Sequence, residues 1–365
     1  MIRFRRAACA AVILLSAFMQ GCGFKDIDKR FFVVAAGIDH TNNPDKPYRV
    51  TLRLAIPSPK AEPGASKSQL ESIETATIAE GIRLLKGHVD KELDFGHCKV
   101  VVLGESLVNS DYTEALTWML RRRDIQSIAN LAVGKPSAQE VMSVNPPSER
   151  YPGNSLFLSF GTQGTDSPFT IQTYLSDFER RYMERGLDPF LPVIKRNQTT
   201  YMISKVAFLD KQRTKLTLSN EETQMYNQLS TKFQKSSILA MYKGKPIVAV
   251  LSGIRRSYRI EVRDGKPIIR MKVRLRCILE QAPRGLYNEG WGPIEKAFED
   301  QYSARAEAMF EKIKRAGVDP FGFGLRYRAT HTGSDATWSR WVKLYPNAQF
   351  EVRTSVKIDG TGLIK

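Results

Sequence analysis

Asp264-Gly265 stands between two runs that alternate apolar and charged residues, and this constrains the fold more than any other feature of the chain. Asp-Gly suits a two-residue hairpin turn, in which both central residues take left-handed backbone angles. Tyr258 to Val262 leads into the turn, and Ile268 to Leu279 leaves it. In the second run Arg270, Lys272, Arg274 and Arg276 occupy alternate positions, with Met271, Val273, Leu275 and Cys277 between them. Successive strand residues point to opposite faces, so one face of this sheet is basic and the other apolar. The apolar face needs a cover. The next long element is an amphipathic helix from Pro293 to Arg315, with Ile294, Phe298, Tyr302, Met309 and Ile313 in its stripe. Glu295, Lys296, Glu299, Asp300, Glu307, Glu311, Lys312 and Lys314 lie away from that stripe.

The rest of the second half reads as hairpins: Val206 to Leu218, and Ile238 to Leu251 turning at Lys243-Gly244-Lys245. Asn220 caps a helix reaching Leu229, another helix lies near Asp335 to Lys343, and Phe350 to Ile358 is a closing strand. The first half alternates strands and helices. Phe31 to Ile38 and Tyr48 to Ile56 form a hairpin over Thr41-Asn42-Asn43-Pro44-Asp45, and Ser58 to Ser68 is a flexible loop. Lys99 to Leu103 and Ile128 to Val133 are buried strands; helices span Leu70 to Lys86, Asp111 to Arg122, Ser137 to Val144 and Thr170 to Arg185. The expected class is α+β, with mixed sheets and packed helices. An N-terminal α+β domain would cover 22–200. A C-terminal one would cover 201–365, an antiparallel sheet with the long helix, open to a split near 290.

The first 21 residues read as an export leader. Arg3, Arg5 and Arg6 make a basic start, and Ala7 to Met19 is an apolar run of signal-peptide length, short of the ~20 residues that span a bilayer. Gly21-Cys22 resembles a lipobox, after which Cys22 would carry N-acyl and S-diacylglycerol lipid; Met19 and Gln20 depart from the usual pattern. No later run is apolar for long enough to span a membrane. Formal charge is +17, from 55 Lys+Arg against 38 Asp+Glu. An exported protein would meet anionic lipid or acidic wall polymer with that charge rather than nucleic acid. Cys98 and Cys277 remain in the body, both in strand-like runs, which favours two buried thiols over a disulfide.

Catalytic patterns are lacking in the sequence. His40, His88, His97 and His331 include no i, i+4 pair, and no Cys-x-x-Cys occurs. His97-Cys98 are adjacent on a strand and so point apart, against a nucleophilic dyad. Gly322-Phe323-Gly324 has no third glycine and reads as a turn after Asp319-Pro320, not a phosphate loop. The alternating Arg270, Lys272, Arg274 and Arg276, with Arg255, Arg256, Arg259 and Arg263 nearby, form either a solvated face or an electrostatic seat.

Several segments form one ordered set across the chain. They are Gly21-Cys22, Phe32-Val33-Val34-Ala35-Ala36-Gly37-Ile38-Asp39 with Tyr48-Arg49-Val50-Thr51, and His97-Cys98-Lys99-Val100-Val101-Val102-Leu103-Gly104-Glu105. The C-terminal block is Gly317-Val318-Asp319-Pro320-Phe321-Gly322-Phe323-Gly324, then Trp338, Trp341, Leu344-Tyr345-Pro346 and Val356-Lys357-Ile358 with Gly360 and Gly362. Together these segments resemble the Ger(x)C family, the C-type lipoprotein subunits of GerA-type spore germinant receptors, and the resemblance implies a non-enzymatic subunit without a cofactor, lipid-anchored to the outer face of the spore inner membrane. It implies partnership with A-type and B-type membrane subunits, and does not imply direct nutrient binding. The competing readings are a substrate-binding lipoprotein of an importer, which would need two doubly wound lobes, and a lipid-anchored wall hydrolase, which would need a carboxylate pair or metal cluster.

Overall fold

Among the described residues two β-sheets organise the fold, one of nine strands and one of four. The computed structural model describes residues 29–56, 67–148, 153–161, 167–231, 233, 235–283, 286, 290–331 and 335–361. Phe31–Lys365 is one compact unit; of the separate unit Met1–Arg30 only residues 29 and 30 are described. The expected leader and Cys22 therefore lie outside the described residues, as does most of the loop expected over 58–68.

The first sheet opens with β1 (Arg30–His40), β2 (Tyr48–Ile56) and β3 (Lys67–Thr75), paired antiparallel in sequence. Helix α1 (Ile78–Lys86) and the short β4 (Glu92–Asp94) lead to β5 (Val100–Gly104), followed by α2 (Glu105–Ser110) and α3 (Thr113–Arg121). Next come β6 (Asn130–Lys135), α4 (Ala138–Met142), α5 (Asn154–Leu158) and α6 (Leu175–Met183). Strands β7 (Phe190–Asn197), β8 (Thr200–Leu209) and β9 (Thr214–Thr217) complete the order β3-β2-β1-β5-β6-β7-β8-β9, with β4 on β1. The sheet is parallel from β1 through β7 and antiparallel at both ends.

That parallel centre follows from composition. Val100 to Gly104 are buried throughout, as a strand with helices over both faces must be. One core packs Ile82, Leu116 and Phe178 of α1, α3 and α6 on one face; a smaller one packs Val141, Met142 and Leu156 of α4 and α5 on the other. Gly104 has no room for a side chain: a Cβ there would stand 1.9 Å from the Asp39 carboxylate. Asp39 is buried and accepts the first amides of α4, Ala138 at 2.7 Å and Gln139 at 2.9 Å.

Helix α7 (Asn220–Thr231) leads to the second sheet: β10 (Ser237–Tyr242), β11 (Lys245–Arg263) and β12 (Lys266–Gln281). Helices α8 (Trp291–Arg315), α9 (Phe323–Thr330) and α10 (Asp335–Leu344) precede β13 (Gln349–Ile358). Both short turns use left-handed pairs, Lys243-Gly244 (φ 49° and 75°) and Asp264-Gly265 (φ 48° and 72°). Ile294, Phe298, Tyr302, Met309 and Ile313 of α8 are buried, in one core with Met271, Val273, Leu275 and Cys277 of β12.

Local differences from the sequence reading have physical causes. Leu70–Thr75 is strand rather than helix, because it pairs with Tyr48–Arg53; α1 begins only after Thr77, whose hydroxyl accepts the Glu80 amide. Ile128 is 62% exposed and β6 starts at Asn130. Helix α6 starts at Leu175, because the preceding residues run beside β6, with the Leu131 amide donating to the Thr173 carbonyl at 2.9 Å. Ser219, not Asn220, caps α7: its hydroxyl accepts the Glu222 amide while Glu222 accepts the Ser219 amide, a capping box. Helices α2, α5 and α9 and strands β4 and β7 were not expected. Strands β8 and β9 carry the first sheet to Thr217, past residue 200. Finally, β13 joins β12 in parallel, so the second sheet is antiparallel only through its first three strands.

Candidate functional site

The alternation in β12 works out as the sequence implies. Met271, Val273, Leu275 and Cys277 are buried under α8, while Lys272, Arg274 and Arg276 are exposed on the outer face and Arg270 is half-buried. Register then brings neighbours to them. Arg274 lies opposite Arg255 of β11, and Arg270 opposite Arg259. On the other side the parallel β13 places Glu351, Arg353, Ser355 and Lys357 against Arg270, Lys272, Arg274 and Arg276. Arg353 and Lys357 are the members that sequence reasoning missed. Their alternation was visible, but not which strand they would join. Arg256, read with this group, turns inward instead and donates to the Ser230 carbonyl at 2.6 Å.

Carboxylates neutralise the rim of this face but not its middle. Arg270 is held between Glu261 and Glu351, each at 2.6 Å, and Arg276 meets Asp359 at 3.1 Å. The Arg270 hydrogen bond holds the Glu351 carboxyl below its usual range. Arg259 and Arg263 share Glu261, and Lys357 reaches Glu295 at 3.5 Å. Arg255, Lys272, Arg274 and Arg353 have no ion-pair partner among the described residues. An open groove of about 430 Å³, lined by Arg259, Arg270, Lys272, Glu351 and Arg353, runs across the face.

A second polar centre lies where the 319–324 turn meets the first sheet. Asp319 is buried, and its carboxylate accepts the amides of Gly322 (2.9 Å), Phe323 (3.0 Å) and Gly324 (2.7 Å). Burial pushes this carboxyl up to about 7 against the pull of those amides. Asp188 accepts the Asp319 amide at 2.6 Å, and Arg181 donates to the Pro320 carbonyl at 3.0 Å. Lys211 donates to the carbonyls of Arg181, Glu184 and Leu187 and stands 3.6 Å from Asp188. Gly324 is needed for close approach: a Cβ would meet Trp341 Nε1 at 2.5 Å and the Gly186 backbone at 2.9 Å. Phe321 and Phe323 pack on Phe310 of α8 at 4.9 and 5.8 Å between ring centroids. Every strong group here is consumed in holding backbone, so the turn is a joint and not a phosphate loop.

Neither thiol is placed for nucleophilic work. Cys98 and Cys277 are free and buried, and burial pushes each thiol up to about 12. The Cys98 thiol points to the Val100 carbonyl, while the His97 ring packs on Phe32 at 4.4 Å. Among the described residues no group of three His, Cys, Asp or Glu could hold a metal ion.

Comparison with known proteins supplies what side-chain chemistry does not. Residues 23–196 match the family model described as "Spore germination protein N-terminal domain", and 204–362 match "Spore germination B3/ GerAC like, C-terminal". The spore germination protein KC of Bacillus subtilis (strain 168) is 23% identical, covering 98% of this chain and 97% of its own. The crystal structure of the GerBC protein superposes with a TM-score of 0.59 at 17% identity, over 93% of this chain and 99% of that one, and shows the same fold. The chain belongs to the Ger(x)C family of spore germination proteins.

Proposed function

We propose that the protein is the non-enzymatic, lipid-anchored C-type subunit of a nutrient germinant receptor, acting with A-type and B-type membrane subunits at the outer face of the spore inner membrane. The observation that carries this reading is the pair of family matches, in order, across 23–196 and 204–362. Two others support it. The buried, proton-retaining thiols and the fully engaged Asp319 suit a binding and coupling subunit better than a catalyst. No helix among the described residues is long and apolar enough to cross a membrane; in this reading the lipid expected on Cys22 is the attachment. Several acyl chains on one residue hold far better than a single chain, whose binding is marginal.

Deleting the gene in a strain without parallel receptors should stop release of spore-core solutes after nutrient addition. Normal release would overturn the assignment. Cys22→Ala should leave the protein unprocessed or detached from the membrane fraction; full retention with normal germination would show that Cys22 is not the attachment point.

A further inference from the structure

We infer that the outer face of the second sheet seats the protein against an anionic phospholipid surface, a reading that rests on the membrane attachment proposed above. The face has carboxylates within reach, yet pairs them at its rim and leaves Arg255, Lys272, Arg274 and Arg353 without an ion pair among the described residues, Arg353 sharing only the field of the Glu351 that Arg270 holds. Strand register sets these four against each other, Arg274 opposite Arg255 and Lys272 opposite Arg353. Like charges directly opposite on neighbouring strands repel, a cost that a sheet of phosphates would remove. The 430 Å³ groove gives one headgroup phosphate access to Lys272 and Arg353 together. At the far end of the same face the alternation turns apolar: Leu239, Met241 and Ile278 are 47%, 46% and 38% exposed. Cations beside outward apolar side chains match the headgroup and acyl boundary of a bilayer.

An acidic protein segment fits less well. A segment that docks by adding a strand finds no open edge, because both edges of this sheet are occupied; one docking by charge alone is read out by the co-purification outcome below. The β13 amides are taken by Glu295, Glu299, Ser303 and Glu307 of α8, and β10 is engaged by Gln301 and Arg305.

The test uses residues 23–365, which lack the expected leader and the lipid-bearing cysteine, sedimented with phosphatidylcholine vesicles containing increasing phosphatidylglycerol. Partitioning should rise with phosphatidylglycerol and fall with salt. Adding Lys272→Gln and Arg274→Gln should weaken it about thirtyfold, and adding Arg255→Gln and Arg353→Gln as well about a thousandfold, with the thermal melt unchanged. Equal partitioning of the parent and the quadruple variant, or partitioning indifferent to phosphatidylglycerol, would overturn the inference. So would unchanged partitioning with loss of co-purifying A-type and B-type subunits, which would assign the face to an acidic protein. Cys22 is absent from every arm and germination is not read, so failure here leaves the receptor-subunit reading to its own deletion test.

Discussion

Replacing Asp319 with alanine should destabilise the fold by about 3–5 kcal/mol. The side chain is buried and accepts three amides, those of Gly322, Phe323 and Gly324, at 2.7 to 3.0 Å. Alanine leaves all three donors without an acceptor, and each buried unpaired donor costs about 1–3 kcal/mol. Burial of the carboxylate offsets part of that loss, since it holds the carboxyl up to about 7. Urea unfolding at neutral pH measures the change as a lower midpoint at constant slope. At roughly 2 °C per kcal/mol for a chain of this size, the melt should fall by about 6–10 °C. A loss below about 1 kcal/mol would refute the claim that this carboxylate holds the turn.

The same residue gives a pH signature of defined sign. In the unfolded chain the Asp319 carboxyl ionises near 3.8, and in the native state near 7. Between those values the native protein holds a proton that the unfolded chain has released. The contribution of Asp319 to stability therefore falls as pH rises through about 4 to 7, and is flat outside that window. Burial raises Asp39 and Asp188 as well, which adds slope of the same sign. The diagnostic quantity is thus the difference between wild type and Asp319→Asn, which cannot titrate. That difference should shrink as pH climbs from 4 to 7; a constant gap would rule out the raised value.

Three further outcomes follow from contacts. Gly324→Ala should cost about 1–3 kcal/mol by overpacking, read in the same urea assay, because its methyl would press on Trp341 and on the Gly186 backbone. Glu299→Ala should cost about 1 kcal/mol by freeing the Val356 amide, whereas Glu299→Gln, which keeps an acceptor, should stay near wild type. Cys98 and Cys277 should resist a thiol reagent in the native protein and react fully after unfolding; prompt native labelling would contradict their burial.

Much of the fold was legible because it rests on local patterns. The Asp264-Gly265 hairpin, the α8 stripe and the Val100–Gly104 strand are set by turn chemistry and periodicity, and each formed where those rules place it. The misreadings came where long-range pairing overrides local preference. Leu70–Thr75 has apolar spacing compatible with a helix, yet β2 offers it a complete strand partner. Ile171 and Tyr174 continue the apolar face of α6 in sequence, but β6 draws residues 171–174 into extended form. The basic face was half legible: the alternation gave the Arg270 to Arg276 row its direction, while the charges supplied by β13 depend on a strand neighbour over 70 residues away.

That neighbour was encoded in α8, in Glu295, Glu299 and Glu307, which read as its solvent side, and in Ser303 between them. Glu295, Glu299, Ser303 and Glu307 recur every four residues, a rise of about 6 Å along a helix. Every second residue of a strand advances about 6.6 Å. The two repeats nearly coincide, so an antiparallel helix can offer one acceptor to each outward amide of an edge strand. The structure does this: Glu295, Glu299, Ser303 and Glu307 accept the amides of Ile358, Val356, Thr354 and Val352 in turn. The edge is thereby closed to a further strand. Of these edge acceptors, Glu295 also reaches an outward cation of β13, Lys357 at 3.5 Å. The helix that buries one side of the sheet thus also holds its edge, and Arg353 of that edge strand has no carboxylate at ion-pair distance among the described residues.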